Sequence, residues 1–138
     1  MKDFHNEIYK VIINDEIINN SIDLDGNIHF SLYPNTSDIQ KIAIVIDEIS
    51  DPLNEAYGDN RSIAMSQTIQ IDVFIKTNPR YNARLLRNEI SQRISDLLEE
   101  KLSMTFVSSG KPEYDPDLKI YRSVRRYDGT FYKEIINN

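Results

Sequence analysis

Cysteine is absent from the 138 residues, which excludes disulfide frameworks, thiolate nucleophiles, Cys-type zinc sites and iron–sulfur clusters. Glycine is scarce as well. Four residues cannot supply the glycine-rich loops that cradle phosphates, and Ser108-Ser109-Gly110 lacks the flanking glycines of a nucleophile elbow. The two histidines, His5 and His29, lie apart with no second ligand at metal-binding spacing. Asp23, Asp25 and Gly26 open like a calcium loop, but Pro34 stands where the bidentate Glu is needed, so a plain turn is expected. Asp47, Glu48 and Asp51 read as hydrated carboxylates at a strand end. No apolar run approaches the roughly 18 to 20 residues that cross a bilayer, and Met1-Lys2-Asp3-Phe4-His5 lacks a signal peptide's apolar middle. The expectation is a soluble protein made without export, with no cofactor, no metal and no enzymatic activity.

What remains is enough for one core. Hydrophobic residues make up 40% and charged residues 28%, which suits a single domain over 1–138. Isoleucine dominates, with 21 residues against 9 Leu and 5 Val, and 13 Asn stand against 4 Ala, the bias of an AT-rich genome. Charge is unevenly placed: residues 1–69 carry 12 acids and 4 bases, net −8, and residues 70–138 carry 10 acids and 12 bases, net +2. Such a split suits head-to-tail association of identical subunits as well as ordinary solvated surfaces. The acidic total argues against general nucleic-acid binding, whose affinity rests on neutralising phosphates.

Periodicity sets the elements. Phe4, Ile8, Val11, Ile12 and Ile18 recur at helical spacing, predicting a first helix from Asp3 to about Ile18. Asp25-Gly26-Asn27 reads as a turn before a short strand, Ile28 to Tyr33, and Asn35 to Asp38 as a polar connection. Lys41 to Ile49 reads as a strand covered on both faces, hence central in a sheet. Asp51 to Arg61 reads as a hairpin tip or a mobile loop. Ser62 to Thr77 alternates most clearly, with Gln67 alone breaking its apolar face, and its length suggests a strand that leaves the core as an extended hairpin. Asn78-Pro79 reads as a helix start, and the helix runs to about Lys101 with Leu86, Ile90, Ile94, Leu97 and Leu98 inward and Arg84, Arg87, Asn88, Ser91, Gln92, Ser95 and Glu99 outward. Met104 to Ser109 reads as a short strand, Glu113 to Asp117 as a connector, and Leu118 to Tyr127 as a long strand. Asp128-Gly129 then reads as a hairpin turn leading to Thr130-Phe131-Tyr132. The order predicts an α+β domain, a mostly antiparallel sheet with two main helices packed against it and a long extended hairpin.

One cluster mixes bases and aromatics: Tyr121, Arg122, Arg125, Arg126 and Tyr127. On a strand, Arg122 and Arg126 point one way and Tyr121, Arg125 and Tyr127 the other, which splits the patch. Cross-strand pairing or an inter-subunit contact is therefore expected over nucleic-acid stacking. With the charged stretch Asp51, Glu55, Asp59 and Arg61, these residues form the candidate interface to other protein subunits.

The first amphipathic helix, the strand ending Ala43-Ile44-Val45-Ile46-Asp47-Glu48, the long strand Met65 to Phe74, the helix rich in Arg, Leu and Ile, and the closing Tyr121-Arg122-Ser123-Val124-Arg125-Arg126-Tyr127 resemble the tail terminator and tail-completion proteins of long-tailed phages of low-GC Gram-positive hosts. The resemblance covers most of the chain and rests on element order. It implies a homo-oligomeric ring, typically a hexamer, that caps the tail tube, stops tube polymerisation and meets the head-tail connector protein. The implied partners are further copies of the chain, the major tail tube protein and the connector, with DNA only as cargo passing through and no membrane. The implied location is the virion tail or neck, and the host cytoplasm during assembly. A head-tail adaptor or stopper is the alternative, and a small ligand-binding domain or enzyme a further one.

Overall fold

The longest alternating segment forms the longest strand, and the rest of the sheet is laid along it. A computed structural model describes residues 3–21, 28–30, 33–35, 39, 41–58 and 61–132. Their order is α1 (Phe4–Ile13), α2 (Glu16–Ser21), β1 (Ile28–Phe30), β2 (Ile42–Glu48), β3 (Leu53–Gly58), β4 (Arg61–Lys76), α3 (Ala83–Leu102), β5 (Thr105–Ser109), β6 (Glu113–Asp115) and β7 (Ile120–Tyr132). The seven strands make one sheet ordered β1-β2-β4-β7-β5, with β3 also on β4 and β6 also on β7. Every pairing is antiparallel except β1 with β2. The α+β architecture read from the sequence is the one observed.

Isoleucine at every second position of β2 and β4 sends one set of side chains toward the helices. Ile42, Ile44, Ile46, Ile69, Ile71, Val73 and Ile75 meet Phe4, Ile8 and Ile12 of α1, Ile18 of α2 and Leu86, Ile90, Ile94, Leu97 and Leu98 of α3. Each such fully buried side chain contributes about 1.5–3 kcal/mol. The opposite face holds a smaller cluster of Ile39, Ala43, Val45, Phe74 and Ile120. β2 is thus covered on both faces, as its sequence implied. Gln67, the polar break in the apolar face of β4, is buried and donates to the Ser50 carbonyl at 3.2 Å. Ser50 Oγ in turn accepts from the Thr68 amide at 3.0 Å, so the turn after β2 is tied to β4.

The extended hairpin is present. Residues 61–66 of β4 pair with β3, and 64–68 pair with the last residues of β7, beyond the stretch of β4 that β2 covers. The segment 51–61, which the sequence left open between hairpin and loop, supplies β3.

Several boundaries differ from the sequence reading. The first helix breaks after Ile13, because Asp15 turns its carboxylate to the Ile18 amide at 3.0 Å and starts α2, while the Asn19 side-chain amide donates to the Ile13 carbonyl at 2.7 Å. Asn78-Pro79 does not open α3. Asn78 instead accepts from the Arg80 amide at 2.9 Å in a tight turn, and Asn82 is the cap, accepting from the Leu85 amide at 3.2 Å. Arg87 and Ser91, read as outward, are buried. β1 ends at Phe30, and Tyr33 lies outside it. The Asp25-Gly26-Asn27 turn, Thr36 to Asp38 and the pair Asp59-Asn60 lie outside the described residues.

The largest difference is Asp128-Gly129, which is no turn: both residues lie within the continuous strand β7, opposite Thr68 and Gln67. Glycine is there because a Cβ at 129 would stand 2.5 Å from Cζ of the Phe4 ring and 2.8 Å from Cε1. Its neighbour Asp128 accepts from the Thr68 hydroxyl at 2.6 Å across the strands.

Gly129→Ala should therefore push α1 off the sheet and cost about 1–3 kcal/mol. In a Phe4→Ala background, already weakened by about 3–5 kcal/mol, the same change should be near neutral. Urea denaturation of the four chains measures this; equal costs in both backgrounds would mean the ring is not what excludes the side chain.

Candidate subunit interface

The two faces of β7 carry different chemistry, and the period of two puts it there. Even positions face away from the helices, odd positions toward them. On the helix-free face, Asp72 of β4 is 0% exposed yet carries a carboxylate. Arg122 answers it diagonally across the strands, with Nε 3.0 Å and Nη2 2.5 Å from Asp72 Oδ2. The other carboxylate oxygen accepts from Gln70 Nε2 at 2.9 Å, and Gln70 Oε1 accepts from Arg126 Nε at 3.0 Å. Arg122 Nη1 reaches on to Glu113 Oε2 at 3.3 Å. A hydrogen-bonded chain thus runs Glu113, Arg122, Asp72, Gln70, Arg126 over β6, β7 and β4.

Tyr33 and Phe74 enclose this chain. Their rings meet edge-on at 6.3 Å, and the Arg122 guanidinium lies 5.9 Å from one centroid and 5.4 Å from the other. Burial, followed by the neighbouring Asp72 charge, raises the Tyr33 phenol above its ordinary value. Burial alone pulls Arg122 down, but the hydrogen bond and charge of Asp72 outweigh it and hold the guanidinium up. The polar residues Gln70 and Asp72 of the alternating strand thus belong to a buried ion-pair network.

On the helix face, Ser91 and Ser95 turn one side of α3 onto β7. Ser91 Oγ meets Ser123 Oγ at 2.5 Å, and Ser95 Oγ meets the Tyr127 hydroxyl at 2.6 Å. Arg125 Nη1 donates to Ser95 Oγ at 3.0 Å and Gln92 Oε1 at 3.3 Å. Tyr127 is 1% exposed and belongs to the core, where burial raises its phenol. Tyr121 stacks on Tyr114 at 4.4 Å, with the Arg87 guanidinium 5.5 Å from its ring. The split expected of the cluster is observed, with Arg122 and Arg126 on one face and Tyr121, Arg125 and Tyr127 on the other.

Of these five, Arg126 is the exposed one; Arg122, Arg125 and Tyr121 are half-buried. Asp51 is exposed just before β3. Glu55 and Arg61 lie in the paired strands β3 and β4, with side chains outside the described residues, and Asp59 lies outside them entirely. Among the described side chains, the candidates on β7 divide between the two faces of the sheet. Asp47 and Glu48, adjacent on β2, point to opposite faces, and Glu48 sits 3.8 Å from His5 Nδ1.

Sequence reasoning passed over the sheet edge. All five residues of β5 are exposed, none is charged, and Phe106 and Val107 are 49% and 51% exposed. A second omission is the groove between α1, α2 and α3, about 620 Å³, lined by Lys10, Val11, Asn14, Ile17, Leu97 and Lys101 among others. At its wall Arg93 grips Asp15, Nη2 to Oδ1 at 2.8 Å and Nε to Oδ2 at 3.2 Å.

The same fold occurs in a chain of the virion of a native gene transfer agent particle, 11% identical, with a TM-score of 0.63 over 91% of this chain and 92% of that one. No protein-family model and no curated protein sequence matches the chain.

Two outcomes follow from the buried charges. Arg122→Met, which leaves Asp72 buried and unpaired, should cost about 3–5 kcal/mol, whereas Asp72→Leu with Arg122→Met should recover most of that loss. Chemical denaturation of the single and double variants decides it; a double variant as weak as the single would mean the cost is lost packing. The second concerns acid. The Arg93 hydrogen bond holds the Asp15 carboxyl below its ordinary 3.8. Its stabilisation is full above that value and is lost as pH falls through the lower folded value. Asp15→Asn should lower the urea midpoint at pH 7, and its gap to the parent should close as pH falls below 3.8. A constant gap at all pH would disprove the linkage.

Proposed function

We propose that the chain is a structural protein of a virion, and within such a particle the tail terminator: a subunit of a closed ring that caps the tail tube, stops its polymerisation and joins the tail to the head connector. The observation that carries this reading is the fold shared, over nearly the whole of both chains, with a component of a gene transfer agent virion. The element order that resembles tail terminator proteins supports the finer assignment.

The physical demands of that role are geometric. A ring subunit needs two different surface patches, each complementary to the other on the next copy, so that a head-to-tail contact closes on itself. Many weak contacts then add through the closure, because each subunit is held on two sides. The uncharged edge of β5 and the hairpin of β3 with β4 are distinct surfaces reaching outward from the core, suited to contacts with neighbouring copies and with the tube. The partners proposed are further copies of the chain, the tail tube protein and the head connector, with DNA passing through the ring. Its place is the tail or neck of the particle, and the host cytoplasm before assembly.

Deleting the gene and viewing lysates by negative-stain electron microscopy tests the role. Full heads beside unattached tails of abnormal, variable length are expected. Normal-length free tails beside leaking heads would replace the terminator with a head-side adaptor or stopper, and wild-type particles would remove the virion reading. Complementation with variants adds a residue-level outcome. Arg126→Glu, which gives up the bond from Nε to Gln70 Oε1, should cost about 0.5–1.5 kcal/mol while leaving the domain folded and lowering particle yield. Arg125→Glu should lower the thermal midpoint, since it loses its bonds to Ser95 and Gln92.

A further inference from the structure

The groove beside α2 and the turn before β7 have complementary chemistry at opposite ends of the subunit. Val11, Ile17 and Leu97 give the groove an apolar lining, with Ile17 57% exposed, and Lys10 and Lys101 line it as well. Among the described residues, neither lysine is in an ion pair. Asp15 is held by Arg93, with the Lys101 charge also acting on it, and Glu16 is the other carboxylate of the lining.

The turn joining β6 to β7 reads Asp115-Pro116-Asp117, a proline ring between two carboxylates, with Glu113 just before it. All four side chains are exposed. The turn is already set: Asp115 Oδ1 accepts from the Asp117 amide at 2.9 Å and the Leu118 amide at 3.0 Å. Docking such a turn costs little ordering entropy. Its carboxylates and proline are complementary in kind to the lysines and apolar residues that line the groove.

The two features do not meet within one chain. The turn adjoins Ile120, which pairs with Lys76 shortly before α3 begins, and Lys101 is in the last turn of α3. A helix of 20 residues spans about 30 Å. Patches that are different, complementary and at opposite ends make a heterologous contact between copies.

We propose that the Asp115-Pro116-Asp117 turn of one copy seats in the groove of the next between Lys10 and Lys101, the proline ring against Ile17 and Val11. This rests on the ring reading above and names the contact by which the ring would close. It uses the charge asymmetry of the sequence differently from what the two halves suggested, since both acidic turn and Lys101 come from the second half.

The absence of cysteine makes a direct test clean, because any disulfide must come from the introduced pair. In the full chain carrying Ile17→Cys and Pro116→Cys, which keeps every charge, oxidation at high protein concentration should give a ladder of covalent oligomers ending in one closed species, and either single variant should give dimers at most. Light scattering on the unoxidised chain runs in parallel. Oligomers by scattering without the ladder would overturn this contact and leave the ring standing. No association at any concentration, and none in assembled particles, would overturn both. A charge swap gives the second arm: Lys101→Glu should weaken association at least tenfold, and Asp117→Lys added to it should restore most of the loss. Failure of the swap to restore, with both variants folded by circular dichroism, would also count against the contact.

Discussion

Thirteen consecutive residue pairs, from Ala64 opposite Tyr132 to Lys76 opposite Ile120, join β4 to β7 without a break. The other strands and α3 are arranged around that ladder. β2 and β3 share one edge of β4, β5 and β6 share the far edge of β7, and α3 lies across both strands on one face. A one-residue slip would carry Ile69, Ile71, Val73 and Ile75 to the helix-free face and Asp72 into the apolar core. Register is thus fixed twice, by what must be buried and by what must not.

The Asp72 network is the second fixed point. A carboxylate with no exposure costs several kcal/mol to desolvate, and it persists only where its partners satisfy it. Arg122 and Gln70 do so, and Tyr33, Phe74 and the Arg126 contact complete the shell. Because these partners come from β4, β7 and the segment before β2, the network closes correctly only in the native pairing.

Much of this was legible beforehand. Period-two isoleucine gave β2 and β4 their faces, and helical spacing gave α3 its buried stripe, since burial is a one-dimensional pattern that sequence records directly. What was hidden depended on neighbours distant in the chain. Gly129 resembled a hairpin turn because its real reason, the Phe4 ring, lies 125 positions away. Ser91 and Arg87 read as solvated because the sheet that covers them is not visible on the helix. The break at Asp15 was masked because Ile18 kept the apolar spacing across it, and Asn78-Pro79 resembled a helix start through its proline, although Asn82 holds the cap. The candidate interface was the least legible part: Tyr127 belongs to the core, Tyr121, Arg122 and Arg125 are half-buried, and the groove with Lys10 and Lys101 is assembled from three helices.

The continuous ladder also has a mechanical meaning. Antiparallel hydrogen bonds lie perpendicular to the strands, so a pull along the strand axis loads them in shear and shares the force among all the pairs at once, whereas a sideways pull at one end opens them singly. In β4 the shared length is the whole overlap with β7, and the ion pair of Asp72 and Arg122 sits as a cross-link within it. Tension applied at the hairpin tip and directed along β4 therefore reaches the helical layer as a rigid displacement. Loading along that axis meets the whole ladder at once, whereas the edge ladders, three pairs each for β1 and β6 and four for β5, are the short ones that a sideways pull opens singly.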